Sequence, residues 1–253
     1  MVCPDPTKPF FALVLDGVMA GLGDVLTLNL VAPSGGEDYG PLAVERATAG
    51  DIAGLILARP GQMLVGDLAP TCPVIVLDAE GQYRDLVTID LDMASAARVL
   101  SDHLVGLGHC RLAYGGLERE KETLHHRRDL LHNELVARGA DLVMPDIMVN
   151  RMSTEAAYDE ILLKWRLLDE AGVTAAVRAD DLFAYGFVSA AHEMVVTIPD
   201  ELSIASFSNL PYSGTVSPGL TSVDLSAREQ GTRAIGALRC LLETQTVPMS
   251  TSQ

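Results

Sequence analysis

The strongest candidates for chemistry or ligand contact in this chain are acidic residues that directly follow predicted strands. Asp180 and Asp181 are adjacent, and Asp78 follows an apolar run. Two carboxylates could serve as general acid and base, but neighbouring side chains at a strand end point in different directions. We therefore expect ligand contact or capping of the following helix, with an acid–base role in an α/β enzyme kept as an alternative.

Other patterns that mark catalytic or cofactor sites are incomplete. His125, His126 and His132 lie on a predicted helix without a cysteine or carboxylate at metal-ligand spacing, so a solvated helix surface is the simpler interpretation. Residues 21–26 begin like a dinucleotide-binding fingerprint but lack its third glycine and precede a predicted strand. No phosphate-binding GxxxxGK[ST] loop and no GxSxG elbow occur. We expect no enzyme activity, no metal and no cofactor.

The charge balance limits the partners of the chain. Acidic residues outnumber basic ones by 34 to 18, for a net charge of −16. Such a surface repels nucleic-acid phosphates, so any contact with DNA requires a basic part outside these residues. We predict no membrane span, because no apolar run reaches about 18 residues, and the N-terminus does not resemble a signal peptide. Four scattered cysteines without a CxxC pair fit a reducing compartment, the cytoplasm.

Two kinds of segment alternate along the chain. Short apolar runs bounded by turn residues predict strands buried on both faces; they are Leu26–Val31, Ala53–Leu57, Val74–Leu77, Arg111–Tyr114, Thr174–Val177 and Leu202–Phe207. Amphipathic stretches, several ended by glycine, predict helices; they are Met93–Leu107, Arg127–Arg138, Thr154–Glu170 and Leu182–Met194. This alternation predicts an α/β fold, with parallel sheets flanked by helices.

Ligands of open α/β sheets bind beyond the carboxyl ends of the strands. The residues to inspect are therefore those directly after each predicted strand. They are Ala58-Arg59, Asp78, Gly115-Gly116, Asp180-Asp181 and Ser208-Asn209.

Several segments, in order and at matching spacing, resemble the effector-binding core of LacI/GalR transcriptional regulators. The most specific is DHLVGLGHCRLAYGG at residues 102–116, which is similar to the helix, glycine stop and strand of that family. Similar matches are KPFFA at 8–12, IAGLIL at 52–57, TAAVRADDLFAYG at 174–186, IPDELSIASF at 198–207 and SPGLTSV at 217–223.

The resemblance implies two Rossmann-like lobes of the type I periplasmic-binding-protein-like fold, with a small effector in the cleft between them. The N-terminal lobe would comprise residues 1–89 and 224–242, the C-terminal lobe residues 90–223, and residues 243–253 a tail. It also implies a homodimer in which the effector shifts lobe closure and repositions N-terminal helix-turn-helix heads on DNA.

The resemblance also assigns ligand contacts. Phe10 and Phe11 match an aromatic pair that packs on the ligand, although core packing is the alternative. Arg127 matches an arginine that grips ligand oxygens, with Arg128 as the second choice. Asp78 matches a carboxylate that accepts hydroxyl groups.

Further contacts follow from the second half of the chain, where the sequence also departs from the family pattern. Asp181 matches the aspartate of an Asn-Asp pair, and Asp180 replaces the asparagine. Ser208 and Asn209 stand where the family has two aspartates, and Met152 stands where an aromatic wall is common. We expect a cleft with fewer acceptors, and a sugar-like effector other than a plain hexose.

The front of the chain lacks what the family would place there. Only Met1–Cys3 remain of the strand that precedes the KPFFA segment, and the helix-turn-helix head is missing. A sheet without a central strand leaves its neighbours unpaired, so we expect an upstream continuation. A periplasmic sugar-binding protein of a transporter is the rival function, and the missing signal peptide disfavours it.

Overall fold

The computed structural model describes residues 1–32, 45–46, 48–58, 72–79, 86–117, 122–143 and 147–246. The chain divides into two compact units, each with its own parallel sheet. Unit 1 is Met1–Leu91 with Ser226–Gln253, and unit 2 is Asp92–Leu225. The predicted α/β class with parallel sheets and flanking helices is confirmed.

Unit 1 contains a three-stranded parallel sheet in the order β1-β2-β3, formed by Leu55–Ala58, Val74–Leu77 and Val87–Ile89. Every residue of β1 and β2 is buried, as their unbroken apolar sequences predict. Two helices of this unit are α1 (Pro9–Gly21) and α6 (Ala227–Thr246).

Helices α1 and α6 approach each other closely through two glycines. A Cβ on Gly17 would lie 1.9 Å from the carbonyl oxygen of Arg228, and one on Gly231 would lie 2.0 Å from that of Val14. Both distances are far below van der Waals contact, so each position admits only glycine unless the helices separate. The pair fixes how the chain's return helix packs on its first helix.

The predicted strand over Leu26–Val31 is wrong, because only Val31 pairs with another chain segment as a strand does. Val2 forms single parallel bridges to Val31 on one side and Leu57 on the other. Within residues 26–31, the segment Met1–Cys3 forms backbone hydrogen bonds only with Asn29 and Val31, at 2.7–3.2 Å; on its other side Val2 bonds to Ile56 and Ala58 at 2.9 Å. Leu26 instead packs its side chain on the apolar core of unit 1.

Unit 2 contains six parallel strands, with the path β5-β4-β7-β8-β9 and β6 paired to the far part of β4. The strands are β4 Arg111–Leu117, β5 Asp141–Leu142, β6 Ile147–Val149, β7 Ala175–Arg178, β8 Ser203–Ser208 and β9 Thr221–Asp224. The two-residue β5 and the half-exposed β9 lack a continuous apolar run, and the apolar β6 has only three residues, so none of the three was predicted as a strand.

Four helices flank the sheet of unit 2: α2 Met93–Gly106, α3 Glu122–Val136, α4 Thr154–Glu170 and α5 Asp181–Glu193. Each overlaps a predicted helix, and α4 matches its prediction residue for residue. Positive φ angles at Gly108 and Gly172 end α2 and α4, as their sequence positions predict. Among the described residues, no helix is both long and apolar enough for a bilayer span.

Candidate ligand-binding site

The carboxyl ends of the unit 2 strands meet at one edge of the sheet because all its strands are parallel. Arg178 ends β7 and is followed after one residue by Asp180 and Asp181, while Ser208 ends β8. All four residues are at least 93% buried. This edge therefore concentrates buried polar and charged groups.

Asp181 has a carboxylate whose hydrogen-bonding capacity is filled by its own unit. Oδ1 accepts hydrogen bonds from the Ser206 hydroxyl and, at 2.6 Å, from the Ser222 hydroxyl. Oδ2 accepts from the Ser213 hydroxyl and, at 2.7 Å, from the Leu210 backbone N–H. A carboxylate offers about four acceptor sites, so all of them are used.

These four bonds tie the start of α5 to the segment after β8 and to β9. The donors are three hydroxyls and one backbone amide, so all four hydrogen bonds to this buried carboxylate come from neutral groups. Hydrogen bonds to the charged form offset the cost of burying it. This gives Asp181 a structural role, and its predicted ligand contact stays a prediction.

Asp180 caps helix α5, as the alternative to ligand contact proposed. Its Oδ1 accepts the Leu182 backbone N–H at 2.9 Å, and its Oδ2 accepts the Ser208 hydroxyl at 2.8 Å. Burial raises the pKa of Asp180 above the usual aspartate value, while these two hydrogen bonds and the charge of Arg127 act against the rise. Part of its acceptor capacity remains available for a ligand.

The contact between Asp180 and Ser208 explains two departures from the family pattern together. Ser208 stands where the resembling family has aspartate, and Asp180 stands where it has asparagine. The two side chains are hydrogen-bonded, so the carboxylate has moved from one partner of a contacting pair to the other. The expected loss of an acceptor at β8 is therefore offset by a gained acceptor after β7.

Arg127 is the buried arginine of the two candidates on α3. It is 5% exposed, donates to the Ala179 carbonyl oxygen and lies over the Phe207 ring with its guanidinium carbon 5.2 Å from the centroid. Arg128 is more exposed, and its Nε lies 3.7 Å from an Asp129 oxygen. Arg127 is thus next to the strand that leads to Asp180, as ligand contact there requires.

Two further predicted residues occupy loops of unit 2. Asn209 is exposed, has a left-handed φ of 47°, and donates its backbone N–H to the Ser222 hydroxyl at 2.9 Å. Asparagine tolerates that backbone better than most residues. Met152 is half-buried and precedes Ser153, the N-cap of α4. Among the described residues, no three His, Cys, Asp or Glu side chains form a possible metal site.

The remaining predicted contacts lie in unit 1. Phe11 is buried in its apolar core, Phe10 packs against that core, and the two rings meet edge to face at 5.7 Å. Core packing, the alternative given for both, is therefore observed. Asp78 follows β2 with a φ of 57° and donates its backbone N–H to the Ile89 carbonyl oxygen at 3.0 Å. Ligand contact by these three residues stays a prediction.

Sequence reasoning missed Arg178, which is fully buried in unit 2. Its signal was present: a cation stands directly after the apolar run Thr174–Val177, where the family motif has an apolar residue. Sequence reasoning also missed the serine donors around Asp181. Isolated serines carry no spacing signal, because their role depends on strands and loops that only the fold brings together.

Comparison with known proteins places the chain in a family. The periplasmic binding protein-like domain matches residues 101–253. The chain belongs to that family. The HTH-type transcriptional regulator YkvZ of Bacillus subtilis is 28% identical over 248 residues, which cover 98% of this chain and 76% of that protein. The family model and the similarity to HTH-type transcriptional regulators confirm the resemblance seen in the sequence.

Solved structures share the fold at lower identity. A LacI-family regulator from Enterococcus faecium with bound ribose has a TM-score of 0.77 and 22% identity, covering 97% of this chain and 90% of its own. One from Lactobacillus casei with bound sucrose has a TM-score of 0.79 and 19% identity, covering 100% and 94%. These TM-scores support the periplasmic-binding-protein-like fold for this chain.

Proposed function

We propose that this chain is the ligand-sensing core of a LacI-type transcriptional regulator and binds a small sugar-like effector. The effector would bind beyond the carboxyl ends of the parallel strands, where Arg127 and Asp180 lie. The observation that carries the proposal is this pair: a buried cation and a buried carboxylate at the one sheet edge where open α/β folds bind ligands.

The similar proteins support a sugar as the ligand class. Two LacI-family regulators with this fold were solved with ribose and with sucrose bound. A guanidinium fork and a carboxylate are also the groups that pair with sugar hydroxyls, as donors and acceptor respectively. The ligand contacts proposed at Phe10, Phe11, Asp78, Met152 and Asn209 rest on the family resemblance alone.

The wider setting follows from the same assignment. We propose that the chain has no catalytic activity, acts in the cytoplasm, forms a homodimer and contacts DNA only through a basic head region. Its net charge of −16 supports the last point, because this core repels phosphate. Light scattering during size-exclusion chromatography tests the dimer, and a mass near 27.0 kDa would contradict it.

Thermal-shift screening tests the sugar proposal, since a ligand that binds only the folded state raises the melting temperature. The panel is ribose, sucrose, glucose and galactose, followed by calorimetric titration. We expect at least one concentration-dependent rise, and no chemical change of the bound sugar on prolonged incubation. Tight binding of glucose or galactose would contradict the expectation that the effector is not a plain hexose.

A pair of variants on α3 connects binding to the site. R127M removes the buried guanidinium, and R128M removes its more exposed neighbour with the same change of charge and size. Loss of a charge-assisted hydrogen bond costs about 1.5–3 kcal/mol, so R127M is expected to weaken binding roughly 10- to 100-fold. R128M is expected to bind like the unmodified protein. Equal effects of the two changes would contradict the site.

A further inference from the structure

Arg178 carries a buried charge that unit 2 does not pair. The residue is 0% exposed, and none of its three guanidinium nitrogens has a hydrogen-bond partner among the described residues. Burial lowers its pKa to about 10, so the group remains protonated at neutral pH. A guanidinium has five N–H donors, and burying them unmet is costly.

The surroundings of the guanidinium are aromatic and backbone surfaces. Its central carbon lies 5.9 Å from the Phe183 ring centroid and 5.6 Å from that of Phe187. These distances are near the limit of about 6 Å for a cation–π contact, so the attraction replaces only part of the lost hydration. On the strand side, a Cβ on Gly115 would lie 1.7 Å from Nη1. Only glycine at that position leaves room for the guanidinium.

The carboxylate that acts on Arg178 by charge, and the two that follow Arg178 in sequence, bind other groups. Glu160 on α4 acts on Arg178 through its charge, but its oxygen is paired with the Lys164 ammonium. Asp181 has all its acceptor sites filled, and Asp180 accepts from a backbone N–H and a serine hydroxyl. In the part of the chain that the structure describes, the buried carboxylates of Asp180 and Asp181 thus accept from neutral donors, while the Arg178 guanidinium has no acceptor.

We propose that Arg178 is the receptor for an anionic group of the effector, which makes the effector an acidic sugar: a sugar acid or a sugar phosphate. This inference rests on the proposed function. Arg178 is the last residue of β7, so its backbone lies at the edge that carries Asp180 and Arg127, and in this proposal its side chain leaves the Phe183 and Phe187 rings to meet the ligand. There a carboxylate or phosphate accepts two parallel N–H bonds.

Because the protein is strongly acidic overall, any binding of an anionic sugar must come from a local receptor and not from the net charge. At −16, the chain repels anions in general, so non-specific electrostatics favour neutral sugars. A preference for the acidic member of a matched pair therefore requires a local receptor. Neutralising a buried cation also means that the acidic ligand stabilises the folded state more than its neutral counterpart does.

Calorimetry and thermal shift on two matched pairs test the inference: ribose against ribose 5-phosphate, and glucose against gluconate. We expect the acidic member of at least one pair to bind at least tenfold more tightly, and the pair that responds distinguishes phosphate from carboxylate. R178M is expected to lose that preference. R166M, which removes an arginine on α4 with 88% side-chain exposure, is expected to keep it.

The outcomes separate the inference from the proposed function. Equal or tighter binding of both neutral sugars overturns the anion receptor and leaves a sugar-binding core. An acidic preference that survives in folded R178M, verified by circular dichroism, also overturns it. R178K gives a second check, because it keeps the charge and loses the fork, and an intermediate preference is expected. If no sugar of either kind raises the melting temperature, the proposed function itself is overturned.

Discussion

Two buried charges on consecutive elements of unit 2 are treated in opposite ways. Asp181, at the start of α5, is enclosed by three serine hydroxyls and a backbone amide that all donate to it. Arg178, at the end of β7, is enclosed by two phenylalanine rings and a glycine. One charge has every partner it can accept, and the other has none among the described residues.

The contrast distinguishes a structural charge from a charge available to a ligand. Fully bonded buried groups hold elements in place, and removing one leaves its partners unsatisfied. An unbonded buried ion destabilises the folded state until something pairs with it. The two positions should therefore respond to neutralisation with opposite signs, which the following variants measure.

The largest expected effect is at Asp181. D181A leaves the hydroxyls of Ser206, Ser213 and Ser222 and the Leu210 amide without their acceptor, so we expect a loss of about 3–5 kcal/mol in the free energy of unfolding. Urea denaturation measures it. D159A, which removes an exposed aspartate on α4, is the control and should change stability by less than about 0.5 kcal/mol. A loss of less than about 1 kcal/mol in the D181A variant would contradict the structural role of Asp181 and indicate that its carboxylate is available to a ligand.

Neutralisation of Arg178 should act in the other direction. Burial depresses its pKa from the usual arginine value to about 10, which corresponds to a penalty of roughly 3 kcal/mol for the charged form at neutral pH. Since the guanidinium loses its proton only above about pH 10, the penalty for burying its charge is fully present at pH 7. We expect R178M to raise the unfolding free energy by about 1–3 kcal/mol in urea, with R166M near zero. A lower free energy of unfolding in R178M would contradict this account, because it would mean that the guanidinium makes a stabilising contact in the folded protein.

Gly115 tests the fit around the same guanidinium. G115A places a methyl group where Nη1 lies, and the flexible arginine must give way, so we expect a loss of roughly 1–2 kcal/mol. The double variant G115A/R178M should recover most of that loss, because the clashing atoms are gone. A double-mutant cycle in urea gives the coupling energy. Simple additivity of the two changes would contradict the contact.

The smallest expected effect is the pH dependence at Asp180. Burial raises the pKa of Asp180 in the folded state, so the protonated carboxyl is favoured there. Its contribution to the free energy of unfolding is complete below the unfolded-state pKa near 3.8 and is lost as the pH rises through the folded-state pKa. Asparagine caps helices as well as aspartate does. D180N should therefore gain stability relative to the unmodified protein as the pH rises from 4 to 7. Urea titrations at both pH values measure the difference, and a change of opposite sign would contradict the burial argument.

The parts of the fold that sequence could predict are those with a local signal. Val74–Leu77 and Thr154–Glu170 have the apolar run or the helical period of their final structures, and both were predicted without error. Leu26–Val31 has the apolar run but lacks a neighbouring strand of sufficient length, so it forms one bridge only. A strand depends on its partner's backbone, which a local pattern does not contain.

The same limit applies to the candidate site. Asp180 and Arg127 could be predicted from their positions in motifs, and the structure places both at the edge of the unit 2 sheet. The exchange of a carboxylate between positions 180 and 208 became visible only when Ser208 was found bonded to Asp180. Arg178 had a sequence signal, a cation after an apolar run, but its meaning depends on the absence of partners in three dimensions.

Hydrogen–deuterium exchange tests the central claim most directly, which is that the chain senses a sugar at the carboxyl edge of the unit 2 sheet. The protein is measured with and without the sugar that raises its melting temperature most. The account predicts slower exchange on binding at residues 178–182 and 208–213, which contain the ends of β7 and β8 and the start of α5. Unchanged exchange in both segments, with protection confined to other parts of the chain, would contradict it.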